Sequence, residues 1–252
     1  METGAITQGA DVAQIVLYMF WAFFAGVIYY LVRENHREGY PLDNGQERGP
    51  VQIGWPVPDP KTYKLEDGRI ITIPDLNRAD GEHSYAPSHA WLGAPLEPVG
   101  DPLLSGMGPG AWAAREDVCE KDPHGELKIV PLRAAPLHGV SANDHDPRGL
   151  SVYGADGLEA GKVKDLWVDR MEMLFRYIEV SLESGKSVLL PVMFARITNR
   201  NIQVQAILST QFDKVPDLKN PDQITRLEEE KISAFYGAGT LYATPERQEP
   251  LV

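Results

Sequence analysis

The sequence predicts a mainly β protein with one N-terminal transmembrane α-helix. The remainder is expected to hold a small antiparallel β-barrel, a C-terminal helix and a long extended Pro/Gly-rich segment. Three observations lead there. An uncharged apolar run fills 12–32, 15 of the 20 prolines lie between Tyr40 and Leu150, and short β-branched or aromatic runs follow one another from about Gly149. The 252 residues carry 24 Lys+Arg against 36 Asp+Glu, a formal net charge of −12. That balance excludes nucleic acid as the main partner, because phosphate binding needs a basic face. Cys119 is the single cysteine, so no intramolecular disulfide is possible and thiolates are too few for a zinc or iron–sulfur site.

The first element is VAQIVLYMFWAFFAGVIYYLV at 12–32, in which Gln14 is the one strongly polar side chain. As a helix it spans roughly 31 Å, the thickness of a bilayer's hydrocarbon core. Its eleven Val, Ile, Leu or Phe residues favour insertion by roughly 3–7 kcal/mol. A cleaved signal peptide is the rival reading, but it would need Lys or Arg before the run, where only Glu2 and Asp11 are charged. Arg33, His36 and Arg37 follow the run, so the positive-inside rule places the N-terminus (1–11) in the periplasm and the rest in the cytoplasm. Tyr29 and Tyr30 suit the cytoplasmic interface.

Residues 33–115 are expected to be extended and packed on a partner. GWPVPDP and GAPLEPVGDPLLSGMGPG cannot sustain helices, because proline lacks an amide donor and restricts the residue before it. Trp55, Trp91 and Trp112, interleaved among them, argue for burial against another surface rather than a disordered linker. One strand pair is predicted here, Tyr63–Leu65 with Ile70–Ile73, turned by Glu66-Asp67-Gly68.

The barrel domain is expected over 116–242. LSVYG, KVKDLWVD, YIEVSLE, SVLLPV, FARIT and IQVQAIL read as strands, separated by Gly157, Gly161, Gly185 and Asn199-Arg200-Asn201. Ser184-Gly185 makes a hairpin between YIEVSLE and SVLLPV. Pro221-Asp222-Gln223-Ile224 opens a helix over about 221–237 that packs Ile224, Leu227, Lys231 and Phe235 and exposes Glu228–Glu230. The tail, 243–252, is polar.

Enzyme signals are weak. Gly106-x-Gly108-x-Gly110 lacks the dinucleotide-binding spacing, and His124-x-Glu126 lacks the cysteine pair of a zinc deaminase. Asp117, Glu120, Asp122, His124 and Glu126 do crowd five titratable groups into ten residues. A solvated acidic loop accounts for them; so does a proton antenna, since crowded carboxylates raise one another's pKa and histidine titrates near neutrality. Asp169-Arg170-Met171-Glu172, just after a predicted strand, is a second candidate, paired with Arg170 or Arg176 if not functional.

Taken in order, Arg37-Glu38-Gly39-Tyr40-Pro41-Leu42, Pro58-Asp59-Pro60-Lys61-Thr62-Tyr63, Gly100-Asp101-Pro102 and Lys128-Ile129-Val130-Pro131-Leu132 form a series. It continues with DPRGLSVYGADGLEAGKVKDLWVDR at 146–170 and NPDQITRLEEEKISAFYGAGTLYATPER at 220–247. The series resembles the H subunit of the purple-bacterial photosynthetic reaction centre, and 146–170 resembles the start of a PRC-barrel. The resemblance implies a non-enzymatic accessory subunit in the photosynthetic intracytoplasmic part of the inner membrane, binding no cofactor of its own. The L and M subunits would be its partners, carrying bacteriochlorophyll, bacteriopheophytin, quinones and non-haem iron; membrane lipids and a light-harvesting complex are further candidate partners. The subunit would cap the cytoplasmic face of L and M, stabilise the complex, shield the quinone sites and conduct protons to the secondary quinone. Matched motif to motif, proton entry falls on Glu120, Asp122 and His124, and the inner carboxylates on Asp169 and Glu172. Glu126, where family members can carry a second His, remains able to collect protons. Gln223 replaces a Glu of some members and is left out of the relay. The alternative is a membrane-tethered PRC-barrel adaptor with no photosynthetic role.

Overall fold

The computed structural model describes residues 5–7, 10–37, 58–66, 68–73, 84–90 and 94–248. Trp55, Trp91, Asp67 and the Glu38–Leu42 part of the motif series lie outside the described residues, as do 249–252 of the tail. The chain forms two units, Met1–Gly81 with Ser88–Pro95, and Glu82–Pro87 with Leu96–Val252.

In the first unit, β1 (Ala5–Thr7) and β2 (Ala10–Asp11) pair antiparallel ahead of α1 (Val12–Arg37). The helix is long and apolar enough to cross a membrane, with a mean hydropathy of 2.1 over its most apolar window. Large apolar side chains, among them Phe23 and Met19, stay exposed along it. Exposed apolar surface all round is what a lipid-facing helix presents and a soluble one avoids. The helix continues past the expected end at 32. Its last turn is held by polar contacts: Arg37 Nε to Glu34 Oε2 at 3.0 Å, Lys61 Nζ to the same oxygen at 2.9 Å, and Arg33 to Asp59 at 3.1 Å. Arg37 also donates to the Asp59 carbonyl. These contacts tie the helix end to β3 (Lys61–Lys64), which pairs antiparallel with β4 (Ile70–Ile73) in the register Tyr63↔Ile71. The predicted hairpin is therefore present, its first strand shifted by one or two residues.

In the second unit, β5 (Tyr85–Pro87) and β6 (Leu96–Pro98) make a small hairpin. The main sheet comprises β7 (Ile129–Pro131), β8 (Ser151–Tyr153), β9 (Glu159–Asp169), β10 (Leu174–Leu182), β11 (Ser187–Pro191), β12 (Ala195–Ile197) and β13 (Asn201–Val204). The strand order is β11-β10-β9-β8-β13-β12, and β7 pairs with the C-terminal half of β9. All pairs are antiparallel except β13 with β8, which run parallel, so the expected antiparallel barrel holds one exception. Gly161 does not separate strands: it lies inside β9, opposite Leu182. Glycine is required there for space, since a Cβ would meet the Ser181 carbonyl oxygen at 2.3 Å. Gly185, with φ +84°, does turn the expected β10–β11 hairpin.

The sheet curls around Trp167, Ile178, Val180, Leu189, Leu190 and Ile202, all nearly or fully buried. α2 (Arg226–Tyr242) closes the core with Ile232, Phe235 and Tyr236. Tyr236 stacks on Phe194 at 5.7 Å and meets Phe212 edge-on at 6.2 Å, geometries aromatic rings favour. The helix starts five residues later than the sequence suggests and ends later too. Thr225 is its N-cap: the Thr225 hydroxyl accepts from the Glu228 amide at 3.2 Å, and Glu228 accepts from the Thr225 amide at 2.8 Å. Glu228 is thus buried in a capping box rather than exposed. Lys231 is half-buried with its Nζ 5.0 Å over the Trp112 ring, and Trp112 itself is 41% exposed.

Candidate functional site

The site is built where β7 and β9 meet. Pairing of Ile129 with Asp169 brings Lys128, just before β7, beside the end of β9, and the Arg170 amide donates to the Lys128 carbonyl at 2.9 Å. Lys128 then stands among three carboxylates: Glu120 at 3.4 Å, Asp169 at 3.6 Å and Glu172 at 3.8 Å. Burial alone would lower the Lys128 pKa, but Asp169, Glu120 and Glu172 more than offset it, so the ammonium is held. Arg176, on β10, bonds Asp169 at 3.4 Å and Glu172 at 2.9 Å. Arg226, opening α2, approaches Glu120 at 3.8 Å.

The remaining predicted residues form an adjoining group at the tip of the 120–126 loop. Asp122 Oδ1 accepts from the His124 and Glu126 amides, both at 2.9 Å. Arg170 links Asp122 (3.4 Å) to Glu126 (3.8 Å). Burial pushes the Asp122 carboxyl up, yet the two amides and Arg170 outweigh this and hold it below the usual carboxylate range. His124 and Glu126 are exposed at the tip. The six predicted residues thus fall into two neighbouring clusters: Glu120, Asp169 and Glu172 around Lys128, and Asp122 with Glu126 around Arg170, His124 beside them. Asp117 goes elsewhere, accepting from the Thr225 hydroxyl at 2.8 Å and pairing with Lys219.

The first cluster opens into a cleft of about 630 Å³ lined in part by Lys128, Arg176, Tyr177, Arg226, Glu229 and Met193. Sequence reasoning missed Glu229 by assigning it to an exposed helix face. Its Oε2 accepts from the Tyr177 hydroxyl at 3.0 Å. Burial raises the Glu229 pKa and nearby Glu120 adds to that, against the lowering by Tyr177, Arg176 and Lys128. The signal available was spacing: Glu229 lies three and seven residues before Ile232 and Tyr236, both fully buried, and so shares their inward helix face.

A pH test follows for Glu229. An acid whose folded pKa lies above its unfolded value gives the fold stability that is complete below the unfolded value and lost as pH rises through the folded one. Glu229→Gln keeps an oxygen for Tyr177 and removes the titration. Melting of the full-length chain in detergent should show the variant more stable than wild type at pH 7, with the advantage gone below pH 4.5. A constant difference across that range would mean that Glu229 is not held in a desolvated state.

Two family comparisons bear on this geometry. Residues 4–134 match the photosynthetic reaction centre, H-chain N-terminal region, and 140–211 match the PRC-barrel domain. The first match covers more than half of the chain. The chain belongs to the reaction-centre H-chain family. Within it, Glu120, Asp122, His124, Glu126 and Lys128 come from the H-chain N-terminal match, and Asp169, Glu172 and Arg176 from the PRC-barrel match. The β7–β9 pairing is what joins them. Arg226 and Glu229, on α2, follow both matched regions. Among the described residues no group of three or more His, Cys, Asp or Glu side chains is arranged to hold a metal ion.

Proposed function

We propose that this chain caps the cytoplasmic face of reaction-centre L and M subunits, shields their quinone sites and passes protons toward the secondary quinone. The carrying observation is the H-chain match over 4–134, supported by a charged cluster opening into a cleft. That match also favours this reading over a tethered PRC-barrel adaptor, for which the 140–211 match alone would suffice. In this reading the apolar helix anchors the chain with its N-terminus in the periplasm, consistent with Arg33 and Arg37 at its far end. The pigments, quinones and iron belong to the partners.

Reducing a quinone in a low-dielectric pocket creates negative charge that is costly until a proton neutralises it. A line of acids and bases at the cap can deliver that proton without opening the pocket to bulk water. The exposed His124 and Glu126 collect protons, and Asp122, kept ionised by their amides and Arg170, fixes negative charge beside them. Glu120 lies next inward, and the 46%-exposed Glu172 stands at the mouth of the inner cluster.

Two measurements test this. The chain purified natively in detergent should carry a near-infrared bacteriochlorophyll band; a colourless complex would end the reading. In that complex Glu172→Gln should slow the proton-coupled second electron transfer by roughly 100-fold, the low end for a positioned proton-transfer group, leaving the first charge separation intact. Second-transfer kinetics unchanged across pH would remove Glu172 from the path.

A further inference from the structure

We propose that Asp169 is a positioning residue that aims Glu172, not a carrier of protons; the proposal rests on the relay reading above and refines it. Asp169 is the last residue of β9 and its side chain is 0% exposed. Its Oδ1 accepts from the amides of Met171 and Glu172, each at 3.0 Å, and its backbone carbonyl accepts from the Met173 amide at 2.8 Å. Its Oδ2 faces Lys128 at 3.6 Å and Arg176 at 3.4 Å. Every acceptor on the residue is therefore occupied by a donor of the protein, and none meets solvent.

These bonds shape the loop 170–173 between β9 and β10. Met173 sits at φ +57°, the one described residue other than glycine in the left-handed region. A long side chain is unfavourable there and persists only where the surroundings over-determine the backbone. Three bonds to Asp169 do so. The same two cations that Asp169 fixes from below hold Glu172 from its two sides: Arg176 on Oε2 at 2.9 Å and Lys128 on Oε1 at 3.8 Å. Lys128 is shared further with Glu120, and Glu120 with Arg226. Asp169 thus sets both the backbone under Glu172 and the charges around it, while the half-exposed Glu172 is the carboxylate that water reaches.

What the turn needs is the Oδ1 acceptor for the Met171 and Glu172 amides, which the carbonyl oxygen of an asparagine supplies. The asparagine NH2 in the place of Oδ2 gives up the pairing with Lys128 and Arg176, which keep Glu172, and Lys128 keeps Glu120 as well. A proton carrier needs a titrating group, which an amide lacks. The two roles part on substitution. In the intact complex, Asp169→Asn should keep the second electron transfer within about threefold of wild type, whereas Asp169→Ala should slow it roughly 10- to 100-fold, the cost of a misplaced group. Hydrogen exchange of the Met171 and Glu172 amides should accelerate in Asp169→Ala and stay near wild type in Asp169→Asn. The double variant Asp169→Ala with Glu172→Gln should be no slower than Glu172→Gln alone, because the first residue acts through the second.

Asp169→Asn as slow as Glu172→Gln would overturn the proposal, as would a double variant slower by the product of the single effects. Should Glu172→Gln itself leave the rate untouched, Glu172 is not in the path and the proposed role of Asp169 in the relay falls with it. The amide exchange then still decides the turn: equal rates in Asp169→Ala and wild type would show that Asp169 does not hold it. Asp169→Asn keeps the test open if the alanine variant does not fold.

Discussion

Glu179→Ala should lower the stability of the full-length chain by about 3 kcal/mol. Glu179 is 4% exposed on β10 and accepts three charge-assisted or indole bonds: Arg133 at 2.5 Å, Lys164 at 2.7 Å and Trp167 Nε1 at 3.2 Å. Truncation leaves the indole N–H of a fully buried tryptophan without an acceptor and removes one anion from between two cations. Breaking a buried pair by taking one partner costs about 3–5 kcal/mol. The lower end applies here, because Arg133 keeps Asp165 at 3.1 Å and Asp222 at 2.8 Å, and Lys164 is half-exposed and regains water. Burial pushes the Glu179 pKa up, but the bonds from Lys164, Arg133 and Trp167 win and hold it low. A depressed acid gives stability that is present above its unfolded value, 4.5, and lost as pH falls through the folded one. The gap between wild type and variant, read by denaturant titration in detergent, should therefore narrow below pH 4.5. Glu179→Gln keeps an acceptor for Trp167 and should fall between the two. A variant as stable as wild type at pH 7 would mean that this network contributes nothing to the sheet.

The elements whose signal is local were legible in the sequence. The charge-free run at 12–32 becomes a helix, Gly185 makes its turn, and Tyr63 pairs across to Ile71. What failed was non-local. Lys128 and Asp169 are far apart in sequence, and their meeting depends on β7, a three-residue strand too short to carry a period. Crowding in the sequence was a poor guide to crowding in space: Asp117 leaves for Thr225, while Glu120 and Asp122 turn to different cations. Pro221 drew the helix start too early, although Thr225-x-x-Glu228 marks the true one. Treating Glu228–Glu230 as one solvated face concealed both the buried cap and Glu229 at the cleft. A run of like charges says nothing about which member the cap or the helix period turns inward.

Two of the three glycines read from the sequence as punctuation, Gly161 and Gly185, separate two physical reasons for glycine, and their substitutions should differ accordingly. Gly185 has φ +84° and open space where a Cβ would be, so Gly185→Ala costs only left-handed strain, about 1–2 kcal/mol. Asparagine, which tolerates that region, should recover part of the loss. Gly161 has no such φ, but its Cβ would lie 2.3 Å from the Ser181 carbonyl oxygen and 3.2 Å from the Leu182 Cα. Both are backbone atoms of the paired strand and cannot rotate away. Gly161→Ala must therefore part β9 from β10 at Gly161↔Leu182, at a cost of about 3 kcal/mol, the upper range for overpacking. Asparagine there should be worse than alanine, the reverse of position 185. The same ladder, eight residues on, pairs Asp169 with Leu174 and so sets the loop that carries Glu172. A strand displaced at Gly161 should then also disturb that loop, seen as faster amide exchange at Met171 and Glu172. If Gly161→Ala melts no lower than Gly185→Ala, β9 and β10 do not approach as closely as their register requires.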